Sequence, residues 1–196
     1  SALLGIYRDR LLNSMYLNTY QTGIDAYTAA FSIPDFMFMI LVSGALSVTF
    51  IPVFNDRLGK NNRDSAWQLS SSVVNFLALV TLIASILIMV FAPFLVKYIV
   101  APGMNESGQV LAASMMRVIA INPFLFAISS VIASIQQAVG RFLFFALAPA
   151  LYNVGIIIGT LFFTNGISIF GHQVFAGGIM GVALGVVLGA ALQLIV

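Results

Sequence analysis

The segment from about Ala66 to Val100 holds one charged side chain, Lys97. It is far longer than the roughly 20 apolar residues a helix needs to cross a bilayer. A run of this kind leaves few folds open. The strands of a membrane β-barrel are about ten residues of strict alternation, and this run does not alternate. Further long apolar runs precede and follow it, separated by short polar stretches. Hydrophobic residues fill 61% of the 196 positions and charged residues 7%, whereas a soluble domain carries about a quarter charged residues. The chain therefore reads as an all-α, polytopic membrane helical bundle.

Six transmembrane segments are expected, within one lobe spanning residues 1–196. The first runs from Ser1 to about Leu17. The second runs from about Asp25 to Phe54, interrupted at Pro34 and closed near Pro52, and a hydrophilic loop, Asn55 to Asp64, follows it. The third is the Ala66–Val100 run. The fourth, about Gln109 to Val139, carries Asn122-Pro123, and a proline inside a helix frees a backbone carbonyl and predicts a kink there. The fifth and sixth are about Leu147–Thr164 and Val174–Val196. Ser1 opens directly onto an apolar run and the chain stops inside another, so the expectation is a lobe truncated at both ends.

Short loops rich in Lys and Arg face the cytoplasm. Arg57, Lys60 and Arg63 follow segment two and Arg141 follows segment four, which puts both loops on one side. The opposite connectors offer Lys97, beside Glu106, and His172. Trp67, close to the cytoplasmic loop, reads as an interfacial anchor.

Several function classes fall away. A net charge of +2, from scattered basic residues, gives no basic stripe for nucleic acid. With no cysteine and one histidine the chain has no Cys-based metal site, and neither a metal nor a cofactor is expected. No HExxH, GxSxG or phosphate-loop pattern is present, and no serine has an evident activating base, so the chain is not expected to be an enzyme.

Polar residues inside apolar segments carry the functional signal, because a charge in lipid is expensive and marks a functional position by default. In segment two Asp25, Thr28, Ser32, Asp35, Met39, Ser43 and Ser47 recur every three or four residues, which is one face of a helix. Hydroxyls alone would serve helix–helix hydrogen bonding. The two aspartates point instead to a hydrated cavity. In segment one Ser1, Gly5 and Arg8 share a face, while Asp9 and Arg10 point elsewhere. Arg8 should meet water or an acidic partner, and Arg10 suits an interfacial anchor. In segment four Ser114, Arg117, Ser129 and Gln136 share an arc, with Arg117 close enough to the segment end to snorkel. Gly177, Gly181, Gly185 and Gly189, four apart, predict a helix that packs closely on a neighbour.

Several blocks in order also resemble a known family. They are S-x-L-L-G-x-x-R-D-R-L-L from Ser1, D-A-Y-x-A-A-F-x-I-P-D from Asp25, S-G-A-L-S-x-x-F-I-P-V-F from Ser43, then Ala101–Met104, I-N-P from Ile121, and R-F-L-F-F-A-L-A-P-A-L-Y-N from Arg141. Together they are similar to the start of the MurJ/MviN lipid II flippases, within the multidrug/oligosaccharidyl-lipid/polysaccharide exporter superfamily. The resemblance implies the first lobe of a fourteen-helix protein whose two lobes flank a cationic cavity. It also implies a place in the bacterial plasma (inner) membrane and translocation of an undecaprenyl-diphosphate-linked peptidoglycan precursor by alternating access.

Arg8 and Asp25 match positions that the family uses in its first two helices, and Ser1 matches a cavity position. Ala2 stands where the family has arginine. Phe38 and Met39 stand where many members carry an arginine pair, and Ser43 where they carry glutamate. The candidate substrate-binding set is Arg8, Ser1, Asp25, Asp35, Ser43 and Arg117, with Arg8, helped by Arg117, attracting the diphosphate. Implied partners are the lipid-linked glycan diphosphate, membrane lipids and a missing C-terminal lobe. The alternatives are a related exporter, either a drug/ion antiporter or one for another lipid-linked glycan, or an inactive half-transporter fragment acting only as a membrane scaffold.

Overall fold

The computed structural model describes residues 2–16, 21–44, 46–60, 62–169, 172–175 and 177–195. The helices are α1 (Ala2–Tyr16), α2 (Gln21–Phe38), α3 (Ile51–Gly59), α4 (Arg63–Leu95), α5 (Glu106–Ile119), α6 (Asn122–Ala138), α7 (Phe142–Ile158) and α8 (Met180–Ile195). Wider π-helical turns continue α2 (Met39–Ser43, then Leu46–Phe50), α4 (Val96–Val100) and α7 (Gly159–Phe163). A short antiparallel hairpin, β1 (Ile167–Ile169) with β2 (His172–Phe175), precedes α8. Among the described residues, four helical stretches are long and apolar enough to cross a membrane: Thr22–Ser43, Arg63–Val100, Glu106–Ala138 and Phe142–Phe163. Met180–Ile195 is a shorter apolar helix. The protein is an all-α membrane bundle with a small hairpin appended.

Local chemistry sets the helix ends. Asn62 caps α4, its Oδ1 accepting from the Ser65 N–H at 3.2 Å, and Asp64 lies in the first turn, where a negative charge favours the helix dipole. Asn105 caps α5 in the same way, accepting from the Gly108 N–H at 2.9 Å. Pro52 and Pro123 sit in the first turns of α3 and α6, where a missing N–H leaves nothing unsatisfied. Gly140 ends α6 at φ +79°, a conformation that side chains disfavour.

Three expectations change. The Asn55–Asp64 stretch is not a loop: Asn55–Gly59 completes α3, and α4 starts at Arg63. Buried Phe54 packs edge-on to Trp67 at 6.3 Å, and Arg57 Nη1 donates to the Ser65 carbonyl at 2.8 Å, so the corner between the helices is tight. Pro34 does not interrupt α2; the helix passes it and widens into π turns from Met39. The hairpin occupies residues expected to join segments five and six. The expected kink at Asn122-Pro123 is present as the break between α5 and α6. There Asn122 is buried, and its side-chain atoms have no hydrogen-bond partner among the described residues.

Two cores hold the bundle. One joins Ala26, Ala29 and Ala30 of α2 to Ile88 and Ala92 of α4 and to Met115, Met116 and Ile119 of α5. The other joins Val42, Leu46, Phe50 and Phe54 to Leu77 of α4 and to Ala127 and Val131 of α6. The closest helix pair is α7–α8. A Cβ built on Gly155 would lie 2.2 Å from Gly189 Cα, and one on Gly159 would lie 2.3 Å from Gly185 Cα. Backbones touch there because neither side carries a side chain. Of the four expected glycines, Gly181, Gly185 and Gly189 serve this contact. Gly177 instead takes a positive φ (+83°) before α8 begins.

Candidate functional site

The polar stripe of α2 stays uncovered because the opposite face is the one that packs. Ala26, Ala29 and Ala30 are buried, whereas Asp25, Thr28, Ser32, Asp35 and Met39 are exposed and Ser43 is half-buried. Thr28 returns its hydroxyl to the Ile24 carbonyl at 3.0 Å. Where α1 passes α2 and α7, the exposed stripe borders an open cavity of about 320 Å³. Arg8 and Asp9 of α1, Thr28 and Asp35 of α2, and the rings of Tyr27, Phe31 and Tyr152 line it. A second cavity, about 280 Å³, shares Asp9, Tyr27 and Thr28 and extends past Leu12 and Asn13. The aromatic wall has two parts: Tyr27 meets Phe31 edge-on at 4.9 Å, and Tyr152 meets Phe126 edge-on at 5.2 Å. Phe126 in turn meets Phe38 at 5.6 Å.

Arg8 is ion-paired. Its Nε and Nη2 donate to the same Asp9 oxygen, Oδ1, at 2.9 and 2.7 Å. The Arg8 side chain is 26% exposed and that of Asp9 60%, so water screens the pair and keeps it exchangeable. A guanidinium has five N–H donors, and two of Arg8's are used here. This corrects the expectation that Asp9 points away from Arg8. A step of 100° fixes where a Cβ leaves the helix, but the long arginine side chain bends back to its sequence neighbour.

Of the candidate residues, the structure brings Arg8 and Asp35 to one cavity. Asp25 lies on the same exposed face and lines neither cavity, and Ser43 lies farther along, in the first π turn. Ser1 lies outside the described residues. Arg117 does not share the Arg8 cavity. It lines a separate one of about 230 Å³ with Lys97, Glu106 and Gln109, and its Nε donates to the Met89 carbonyl at 3.2 Å. Burial of Met115, Met116 and Ile119 turns Arg117 outward toward α4. Among the described residues Arg8 is the one cation lining the α1–α2 cavities, against the carboxylates of Asp9 and Asp35. That lining is formally negative, not cationic. No group of three His, Cys, Asp or Glu side chains among the described residues could hold a metal ion.

Sequence reasoning missed Tyr27, Phe31 and Tyr152, which build the wall. It also missed Gly155 and Gly159, although their G-x-x-x-G spacing stands in segment five.

Comparison with known proteins is consistent across the chain. The family model described as "Lipid II flippase MurJ" matches residues 20–196. A lipid II flippase MurJ of Thermosipho africanus is 27% identical over 165 residues, 84% of this chain and 33% of the relative. A probable lipid II flippase MurJ of Thermotoga maritima is 32% identical over 162 residues, 83% and 33% of the two chains. One of Bdellovibrio bacteriovorus is 30% identical over 200 residues, 98% and 35%. The chain spans about a third of the length of the curated relatives it matches.

Proposed function

Because the chain belongs to the lipid II flippase MurJ family, we propose that it forms one lobe of a transporter of the bacterial plasma membrane. That transporter moves undecaprenyl-diphosphate-linked peptidoglycan precursor between leaflets by alternating access, for cell-wall synthesis. A flippase relocates its substrate without breaking a covalent bond, so no catalytic residue is assigned.

The observation that carries the reading is the exposed polar face of α2 above the Arg8–Asp9 pair. Polar groups on a membrane helix need water or protein partners, so this face lines a hydrated passage between the lobe and the rest of the transporter. The substrate's diphosphate then competes with Asp9 for Arg8, since a guanidinium pairs bidentately with phosphate as it does with carboxylate and the Arg8–Asp9 pair is solvent-screened. Asp25, Thr28, Ser32 and Ser43 hydrate the path. The formally negative lining limits the affinity, so the precursor is held weakly enough to leave.

The test is Arg8→Ala in the full-length transporter that carries this lobe, with precursor exposure on the outer leaflet as the readout. The expected result is a loss of flipping of at least about tenfold, the equivalent of one charge-assisted hydrogen bond. Undiminished flipping at normal expression would remove Arg8 from the mechanism.

One observation favours a second reading. Asp35 lines the cavity and has no ion-pair partner among the described residues. A cation-coupled exporter of the same superfamily would use such a carboxylate. Asp35→Asn would then abolish the dependence of transport on Na⁺ or pH, whereas a plain flippase lobe would lose only path hydration. Transport by the variant that still responds to Na⁺ and pH like the parent would set coupling through Asp35 aside.

A further inference from the structure

The corner between α3 and α4 and the corner between α6 and α7 lie together at one end of the bundle, and a cleft of about 800 Å³ separates them. That volume is within the range of about 300–1,000 Å³ typical of small-molecule sites. Arg63 and Trp67 form its rim on one side and Arg141 on the other, while Ile132, Ile135 and Val139 of α6 give it an apolar floor. We infer that this cleft binds the phosphate headgroup of an anionic phospholipid from the adjoining leaflet.

The charges favour an anion. No Asp or Glu lines the cleft, and neither Arg63 nor Arg141 has an ion-pair partner among the described residues. The neighbouring cations do not line the cleft: Arg57 donates to the Ser65 carbonyl and Lys60 pairs with Asp56. Two guanidinium groups without an ion-pair partner among the described residues, lining one space, suit a phosphate, which each can grip through two parallel N–H bonds.

The surroundings favour a lipid over a soluble anion. Trp67 is 49% exposed at the rim, and tryptophan prefers the headgroup level of a bilayer. Arg141 is followed directly by Phe142 and Leu143, 61% and 68% exposed, which suit acyl chains. All four basic residues of the two corners lie at this end, the pattern of a cytoplasmic surface, and that leaflet supplies the anionic lipids. A soluble phosphate would gain nothing from the isoleucine floor.

Trp67 is the sole tryptophan of the chain, so its fluorescence reports on the cleft. The full-length transporter that carries this lobe, with any tryptophan outside residues 1–196 replaced by phenylalanine, is reconstituted in phosphatidylcholine nanodiscs doped, at equal fraction, with phosphatidylglycerol or phosphatidylcholine carrying brominated acyl chains. The expected result is stronger quenching by brominated phosphatidylglycerol. Arg63→Gln with Arg141→Gln should reduce that preference at least about fivefold, the effect of removing basic residues from an anionic surface. Arg63→Lys with Arg141→Lys should keep most of it, and millimolar inorganic phosphate should not relieve it. Equal quenching by the two lipids overturns the proposal without any variant. Preference surviving in the double glutamine variant, or quenching relieved by phosphate, overturns it as well, the latter by making the site one for soluble anions.

Discussion

The outward faces of α2 and α4 are opposites. On α4 the exposed side chains include Phe76, Leu79, Ile83, Ile86, Leu87, Val90 and Phe91, while Ser70, Thr81 and Ser85 are buried. On α2 the small apolar residues Ala26, Ala29 and Ala30 are buried, and Asp25, Thr28, Ser32 and Asp35 are exposed. Both helices cross the bundle, yet one turns oil outward and the other turns oxygen outward. Lipid accepts the first surface and rejects the second. On the reading proposed above, the first surface touches acyl chains and the second touches water.

Three measurements can break or sharpen that contrast. The largest effect is expected in labelling; residues 1–196 hold no cysteine, and any cysteine elsewhere in the full-length transporter is first replaced by serine. A single Ser32→Cys in the full-length transporter should react readily with a water-soluble, membrane-impermeant maleimide from the side to which the passage is open, and Ile83→Cys should not react. Equal labelling would erase the distinction. The next is energetic. Ile83→Asp places a carboxylate in lipid at a cost of about 2.5–3.5 kcal/mol and should lower membrane insertion, measured by glycosylation mapping, whereas Ser32→Asp should insert nearly as the parent does. The smallest concerns the buried hydroxyls of α4. Thr81 returns its Oγ1–H to the carbonyl of Leu77, one turn back on its own helix, at 2.6 Å. Thr81→Val should therefore shift unfolding in detergent by under about 1 kcal/mol, because no partner helix loses a bond. A larger loss would mean that Thr81 ties α4 to a neighbour.

Of the six expected spans, the second to the fifth were legible because long apolar runs admit no other fold, while the first and last are helices of 15 and 16 residues, short for a bilayer; Asn122-Pro123 announced its break. The α3–α4 corner was not legible. Helix ends in water carry the same polar residues as loops, so Asn55–Asp64 looked like a connector until Phe54 and Asn62 were seen to anchor it. The stripe on α2 was readable from its spacing, and Arg8 from its depth. The aromatic wall was not, because Tyr27, Phe31 and Tyr152 look like any other apolar positions in segments that are mostly apolar. Their role depends on α1 and α7 converging on α2, and no local pattern encodes that convergence.

The glycine contact between α7 and α8 has a mechanical consequence. With Gly155 against Gly189 and Gly159 against Gly185, sliding one helix by a single residue would drive the Cβ of Ile156 or Val186 into backbone. The two helices are keyed like a shaft in its slot, stiff in shear and in rotation. Flexing of the lobe is then expected away from that contact, where hydrogen-bond register is irregular: the two π turns that follow Asp35 in α2 and the one at Val96–Val100 that ends α4. The π turn of α7 begins at Gly159 itself, so there the glycine contact holds an irregular stretch in place.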